Sequence, residues 1–269
     1  MKIRTLVLVL ASAAWSTCFA GGCASATPTP VRLTVVTYNI HHGGGADGKV
    51  DLPRLAEVIR KCEPDLVALQ EVDNGVPRSA SAREAADLGK LLGMFGVFGK
   101  AMDYQGGEYG DAVLSRFPIE SSEVHHLPYR DGDKREPRCA VAATVALRDG
   151  RKIVFMSTHL DHTHEPSDRL AQAEELAAIV AKEKLPVILA GDFNCDPGTP
   201  PLETLAKEMD LVTKDEPPTC PADAPKETID HVFVKPRGKW KVIETRVVEE
   251  TIASDHRPVM VKLELAPQR

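Results

Sequence analysis

The sequence lacks several things, and each absence narrows the reading. Its N-terminal apolar stretch, Thr5 to Ala14, falls short of the roughly 20 residues that a helical membrane span requires. Positive charge is not in excess: 33 Lys and Arg face 39 Asp and Glu, a formal net charge of −6. That balance argues against a protein that coats nucleic acid electrostatically. No cysteine spacing matches a zinc knuckle, no segment repeats at a fixed period, and no linker-like stretch divides the body of the chain. What remains is a chain of 269 residues, 43% hydrophobic and 27% charged, long enough to bury a sizeable core.

The chain opens with Met-Lys-Ile-Arg, the apolar stretch, and small residues through Ala26, the pattern of a secretory signal. Two processing routes fit. Ala24-Ser25-Ala26 suits ordinary cleavage, whereas Ala20-Gly21-Gly22-Cys23 resembles a bacterial lipoprotein box, which would place a lipid on Cys23 and associate the protein with a membrane. Residues 27–30 read as a short tether and residues 31–266 as one domain, expected to be exported to the periplasm, the exterior or a lipid-anchored position, and monomeric. Loss of residues 1–26 removes Lys2 and Arg4 and no acid. Export implies an oxidising compartment. Cys62 and Cys139 read as buried thiols, while Cys195 and Cys220 lie in loop-like surroundings and could pair.

The most informative stretch is LPVILAGDFNCDP, Leu185 to Pro197. A short apolar run bounded by turn residues reads as a buried strand, and it delivers Asp192 and then Asn194 to the same side. A carboxylate and a carboxamide there suit a hydrated hard cation and its activated water; the competing reading is a turn whose Asx side chains cap the backbone. Three more strand-like runs end in comparable residues: Arg32 to Ile40 at Asn39, Asp65 to Gln70 at Glu71, and Ile153 to Thr158 at His159. A further pair, Asp255-His256, precedes the last strand, Pro258 to Leu263. Between them, Asp51 caps a helix to Cys62, Ser81 with Glu84 predicts a capping box for a helix through Leu92, and another helix runs from Ser167 to Lys182. The run Lys235, Arg237, Lys239, Lys241 reads as the solvated face of a hairpin. Polar groups gathered at strand ends mark a ligand site in α/β proteins.

Taken in order, TYN (Thr37–Asn39), LQE (Leu69–Glu71), LSRFPI (Leu114–Ile119), STHL (Ser157–Leu160), GDFN (Gly191–Asn194), TIDHVFV (Thr228–Val234) and SDHRPV (Ser254–Val259) resemble the endonuclease/exonuclease/phosphatase superfamily. NIHHG, GEYGDAVLSRFPI and THLDH are most similar to bacterial relatives of the phosphodiesterase-like domain of GPI-lipid-remodelling proteins. The resemblance implies an α/β fold, a two-sheet mixed β-sandwich flanked by helices in four layers, as in deoxyribonuclease I. It implies a metal-dependent phosphoesterase, with Mg2+ or Mn2+, acting on a phosphodiester in nucleic acid or in a phospholipid or inositol-type head group.

By the same resemblance, Glu71 is the main metal ligand, assisted by Asn39 and Asp255. Asp192 orients or deprotonates the attacking water, and Asn194 fixes Asp192 or a phosphate oxygen. His159 and His256 hold the phosphoryl oxygens, one of them a candidate to protonate the leaving group, and Asp230 pairs with His256. His41, Tyr109 and Arg138 are candidates for substrate contact, alongside His42. Tyr109 and Asp111 stand where the family often supports the first histidine. The competing reading is a catalytically silent binding domain on the same fold, but no expected ligand position is replaced. THLDHTH (Thr158–His164) bears a superficial likeness to the zinc loop of metallo-β-lactamase-type hydrolases; its residues come in the wrong order, and that fold would leave GDFN and SDH unexplained.

Overall fold

The computed structural model describes residues 29–130 and 136–267. The signal segment, Cys23 and the first half of the tether lie outside the described residues. The strands are β1 (Val31–Asn39), β2 (Leu66–Asn74), β3 (Phe95–Tyr104), β4 (Gly107–Ser115), β5 (Ile119–His126), β6 (Cys139–Ala146), β7 (Lys152–His159), β8 (Val187–Asp192), β9 (Asp210–Leu211), β10 (Asp230–Lys235), β11 (Trp240–Val247) and β12 (Val259–Leu265). They assemble into two six-stranded mixed sheets, in the orders β11-β12-β1-β2-β4-β3 and β5-β6-β7-β8-β10-β9.

Each central strand is buried on both faces, which is why its sequence reads as a continuous apolar run rather than an alternation. One core lies between the sheets, where Val35, Ala68 and Val113 of the first meet Val141, Phe155 and Ile188 of the second. Helices α1 (Leu52–Arg60) and α2 (Glu84–Leu92) pack on the outer face of the first sheet through Leu55, Ile59 and Leu88. Helices α3 (Ser167–Lys182) and α4 (Pro200–Ala206) cover the second through Leu176, Val180 and Leu205. The expected four-layer sandwich is therefore the observed one.

Local details depart from the sequence reading in instructive places. Asp51 caps α1 as expected, its carboxylate accepting the Arg54 N–H at 2.9 Å. The capping box before α2 does not form: the N-cap is Arg83, with no side-chain cap bond. Glu84 instead turns inward and accepts the Asp73 N–H at 2.7 Å. The described cysteines are all free thiols, so Cys195 and Cys220 do not pair; Cys195 is buried among the residues beneath α4. The basic hairpin is only partly a solvated face. Lys235 Nζ donates to the carbonyls of Val180, Ala181 and Glu183 at the end of α3, where a cation favours the helix dipole.

The inward turn of Glu84 has a measurable consequence. Burial pushes its carboxyl from an ordinary value of 4.5 to about 8. Folded protein therefore keeps a proton that the unfolded chain has lost, and this contribution to stability is lost as pH rises from about 5 to about 8. Glu84→Gln, which has no proton to lose, should gain stability relative to wild type across that window, read as a widening difference in urea midpoint between pH 5 and pH 8.

Candidate active site

Strand direction gathers the polar residues. Asn39, His159 and Asp192 close β1, β7 and β8, while Asp230 opens the antiparallel β10. Asp255 and His256 stand just before β12, antiparallel to β1. All therefore reach one edge of the sandwich. In the second sheet Asp192 is paired with His159 on one side and with Asp230 on the other. Glu71 sits at a β-bulge, between the register positions of Leu69 and Val72, with φ +57°. The bulge aims its carboxylate out of the pleat and into the site.

Asp192 is the hub. It is 1% exposed, and its Oδ1 accepts the Asn194 N–H at 2.9 Å while Oδ2 accepts from Asn39 Nδ2 at 3.1 Å. His159 Nε2 and His256 Nε2 lie 3.5 and 3.7 Å from the same Oδ2. Burial pushes this carboxyl up to about 7, against the opposing pull of His256. Asn39 Nδ2 also donates to Glu71 Oε1 at 3.1 Å, and its Oδ1 accepts the His41 N–H. Asn39 thus bridges the two carboxylates through its nitrogen while its oxygen takes the His41 N–H. Asp255 is half-exposed and lies 3.8 Å from His41 Nδ1.

The two histidines are held in opposite protonation states. Burial disfavours the His256 cation, but Asp230 and Asp192 outweigh it and raise its pKa well above the ordinary value. Its Nδ1 is 2.9 Å from Asp230 Oδ2, which also accepts from Thr219. His159 is pushed well below the ordinary value by burial and then by Arg138. Arg138 is 2% exposed, and its guanidinium donates to Nδ1 of both His159 and His162, at 3.1 and 3.0 Å. Asn194 Nδ2 approaches His159 Nε2 at 2.9 Å but also donates to the Leu160 carbonyl. A guanidinium can only donate, so the lone pair of His159 belongs to Nδ1 and its hydrogen to Nε2, facing Asp192 and the cleft.

The cleft has a volume of about 310 Å3 and is lined by Glu71, Asp192, Asn194, His159 and His256 together with Arg78, Tyr104, Tyr109, Arg138 and His162. Residues 36–256 match the Endonuclease/Exonuclease/phosphatase family. The chain belongs to that family. It is 28% identical over 246 residues to the uncharacterized protein YbhP of Escherichia coli, covering 86% of this chain and 96% of that protein. It is 26% identical over 185 residues to protein cwh43 of Schizosaccharomyces pombe, covering 69% of this chain and 18% of that protein, which agrees with the expected subgroup resemblance. A family structure from Beutenbergia cavernae superposes with a TM-score of 0.73 at 25% identity, covering 87% of this chain and 72% of that one.

Some family-derived expectations find a different arrangement here. The residue that supports the His159 ring is Arg138, whereas Asp111 accepts from the Cys139 thiol and Tyr109 packs beside Tyr104 and the Arg78 guanidinium. Arg138 also lines the cleft, with one terminal nitrogen on His159 and the other shared between His162 and Glu136. Arg78 and His162 were not legible as site residues. Arg78 stands on a short turn after β2, paired through two bonds with the buried Asp73, and no local pattern announces that.

Gly191 holds the row of reactive residues together by its lack of a side chain. A Cβ there would lie 2.1 Å from the Thr158 carbonyl of the neighbouring strand. Gly191→Ala should force β7 and β8 apart at His159 and Asp192, lowering stability by about 1–3 kcal/mol, measurable as a reduced urea midpoint with an unchanged m-value.

Proposed function

We propose that this protein is a divalent-cation-dependent phosphoesterase that cleaves a phosphodiester by in-line attack of water. The observation that carries the reading is Asp192, a buried carboxylate held by two amide donors and flanked by one neutral and one cationic histidine. Phosphoryl transfer needs an aligned water, charge compensation at the equatorial oxygens and a proton for the leaving group. Asp192 is placed to align the water and take its proton. His159 Nε2–H is a fixed donor to a phosphoryl oxygen. His256, cationic against Asp230, is the proton source for the leaving alcohol.

The donor set fits a divalent cation, because the Glu71 carboxylate reaches the cleft with its geometry fixed by Asn39, and Asp255 stands 3.8 Å from His41. Held by Glu71 and Asp255, such an ion supplies positive charge against the phosphoryl oxygens. The N-terminal residue pattern supports an exported protein, with lipidation of Cys23 as one route to a membrane, and a phosphodiester of nucleic acid or of a lipid or inositol-type head group as substrate. Turnover of bis-(p-nitrophenyl) phosphate that EDTA abolishes and Mg2+ or Mn2+ restores is the expected result, followed by a panel of plasmid DNA, RNA, phosphatidylinositol, sphingomyelin and inositol phosphates. Asp192→Asn should remove that turnover while cation binding persists. Chelator-insensitive turnover, or none on any of these esters, would defeat the reading.

In this mechanism Arg138 is a positioning residue, acting through the His159 ring. Arg138→Lys keeps the charge but cannot hold both rings, so kcat should fall on the order of 10-fold or more with little change in KM. Nitrogen chemical shifts should show His159 losing its fixed Nε2–H tautomer.

A further inference from the structure

Apart from the Asp192 row, a second group of donor atoms converges in the site. One ligating atom each from His41, His42 and Glu71 lie within 4.8 Å of one another. All three residues occupy the left-handed region, at φ +46°, +45° and +57°, which costs a non-glycine residue roughly 1–2 kcal/mol. Three such residues supplying three converging donors is strain placed where it aims side chains. The loop is held in that shape from both sides. The His41 N–H bonds Asn39 Oδ1, and the Gly44 N–H bonds the His41 carbonyl at 2.7 Å. Gly43 seats against the buried Glu84, whose Oε1 would lie 2.9 Å from a Cβ at that position.

The ring chemistry suits ligation. His41 Nδ1 lies 3.3 Å from the Gly44 carbonyl. Only an N–H can bond a carbonyl, so Nδ1 carries the hydrogen and Nε2 keeps its lone pair, the usual arrangement in a ligating imidazole. The His42 ring stands edge-on to it, with centroids 4.3 Å apart, and its buried Nδ1 has no partner. Glu71 gives one oxygen to Asn39 and retains the other. An imidazole nitrogen beside a carboxylate favours first-row transition-metal dications, whereas Mg2+ prefers oxygen and water.

We infer that His41 and His42 complete, with Glu71, the cation site of the proposed phosphoesterase, and select a transition-metal dication such as Mn2+, Co2+ or Zn2+ over Mg2+. The inference rests on the reading of Glu71 as the residue that holds the cation. Pulsed electron paramagnetic resonance of the full chain loaded with Mn2+ tests it directly. Wild type should show modulation from directly bound imidazole nitrogen, and the double variant His41→Ala/His42→Ala should lose it. Mn2+ affinity should fall roughly 10-fold or more, while Mg2+ affinity, measured by competition, changes by less. Where the double variant fails to fold by circular dichroism, His42→Gln alone should remove part of the modulation, and unchanged modulation counts against the inference. Mn2+ bound without nitrogen modulation overturns it and leaves the phosphoesterase reading standing, provided Glu71→Gln abolishes binding. Failure of wild type to bind Mn2+, or undiminished binding by Glu71→Gln, overturns both.

Discussion

The Asn39 carboxamide joins the two sheets at the site. It donates to Glu71 of its own sheet and to Asp192 of the other, so the separation of the two carboxylates is set by one planar group. Just beneath it, Thr37 donates to Gln70, Gln70 donates to Ser157 across the sandwich, and Ser157 returns a bond to the Leu69 carbonyl. Apolar packing alone tolerates small slips between sheets. A buried polar chain does not, because every unmade bond leaves a desolvated group without a partner. The seam therefore joins the ends of two packed sheets into one site with fixed distances.

Within that frame the division of labour is electrostatic. His159 and His256 stand at nearly equal distances from one Asp192 oxygen, yet their environments are opposite. A guanidinium behind one ring and a carboxylate behind the other split their affinities for the proton, and two like side chains acquire different chemical roles. The same device leaves Asp192 as the carboxylate between a neutral donor and a cation.

Much of this was legible in the sequence, for local reasons. Strand-length apolar runs ending in Asn39, Glu71, His159 and Asp192 carry their meaning in a few adjacent residues, and the alternation rule places them on one side. What escaped depends on distance. The exposed strand β5, with its Glu, Ser and His residues, has no apolar run to betray it. Ser81 and Glu84 have the spacing of a capping box, but Glu84 instead accepts the N–H of Asp73, 11 residues back along the chain. Arg78 and His162 reach the site from chain segments whose placement only the folded sheets determine. The Cys195 and Cys220 thiols share a loop-like setting in sequence and remain separate in structure.

One consequence concerns the acidity noted at the outset. The formal charge of −6 assumes every carboxyl ionised and every histidine neutral. Folding departs from that count at Glu84 and Asp111, both held protonated to about pH 8 by burial, and at His256, held cationic. The native molecule is accordingly less acidic than its composition, and an anionic ester meets weaker repulsion than the residue tally suggests.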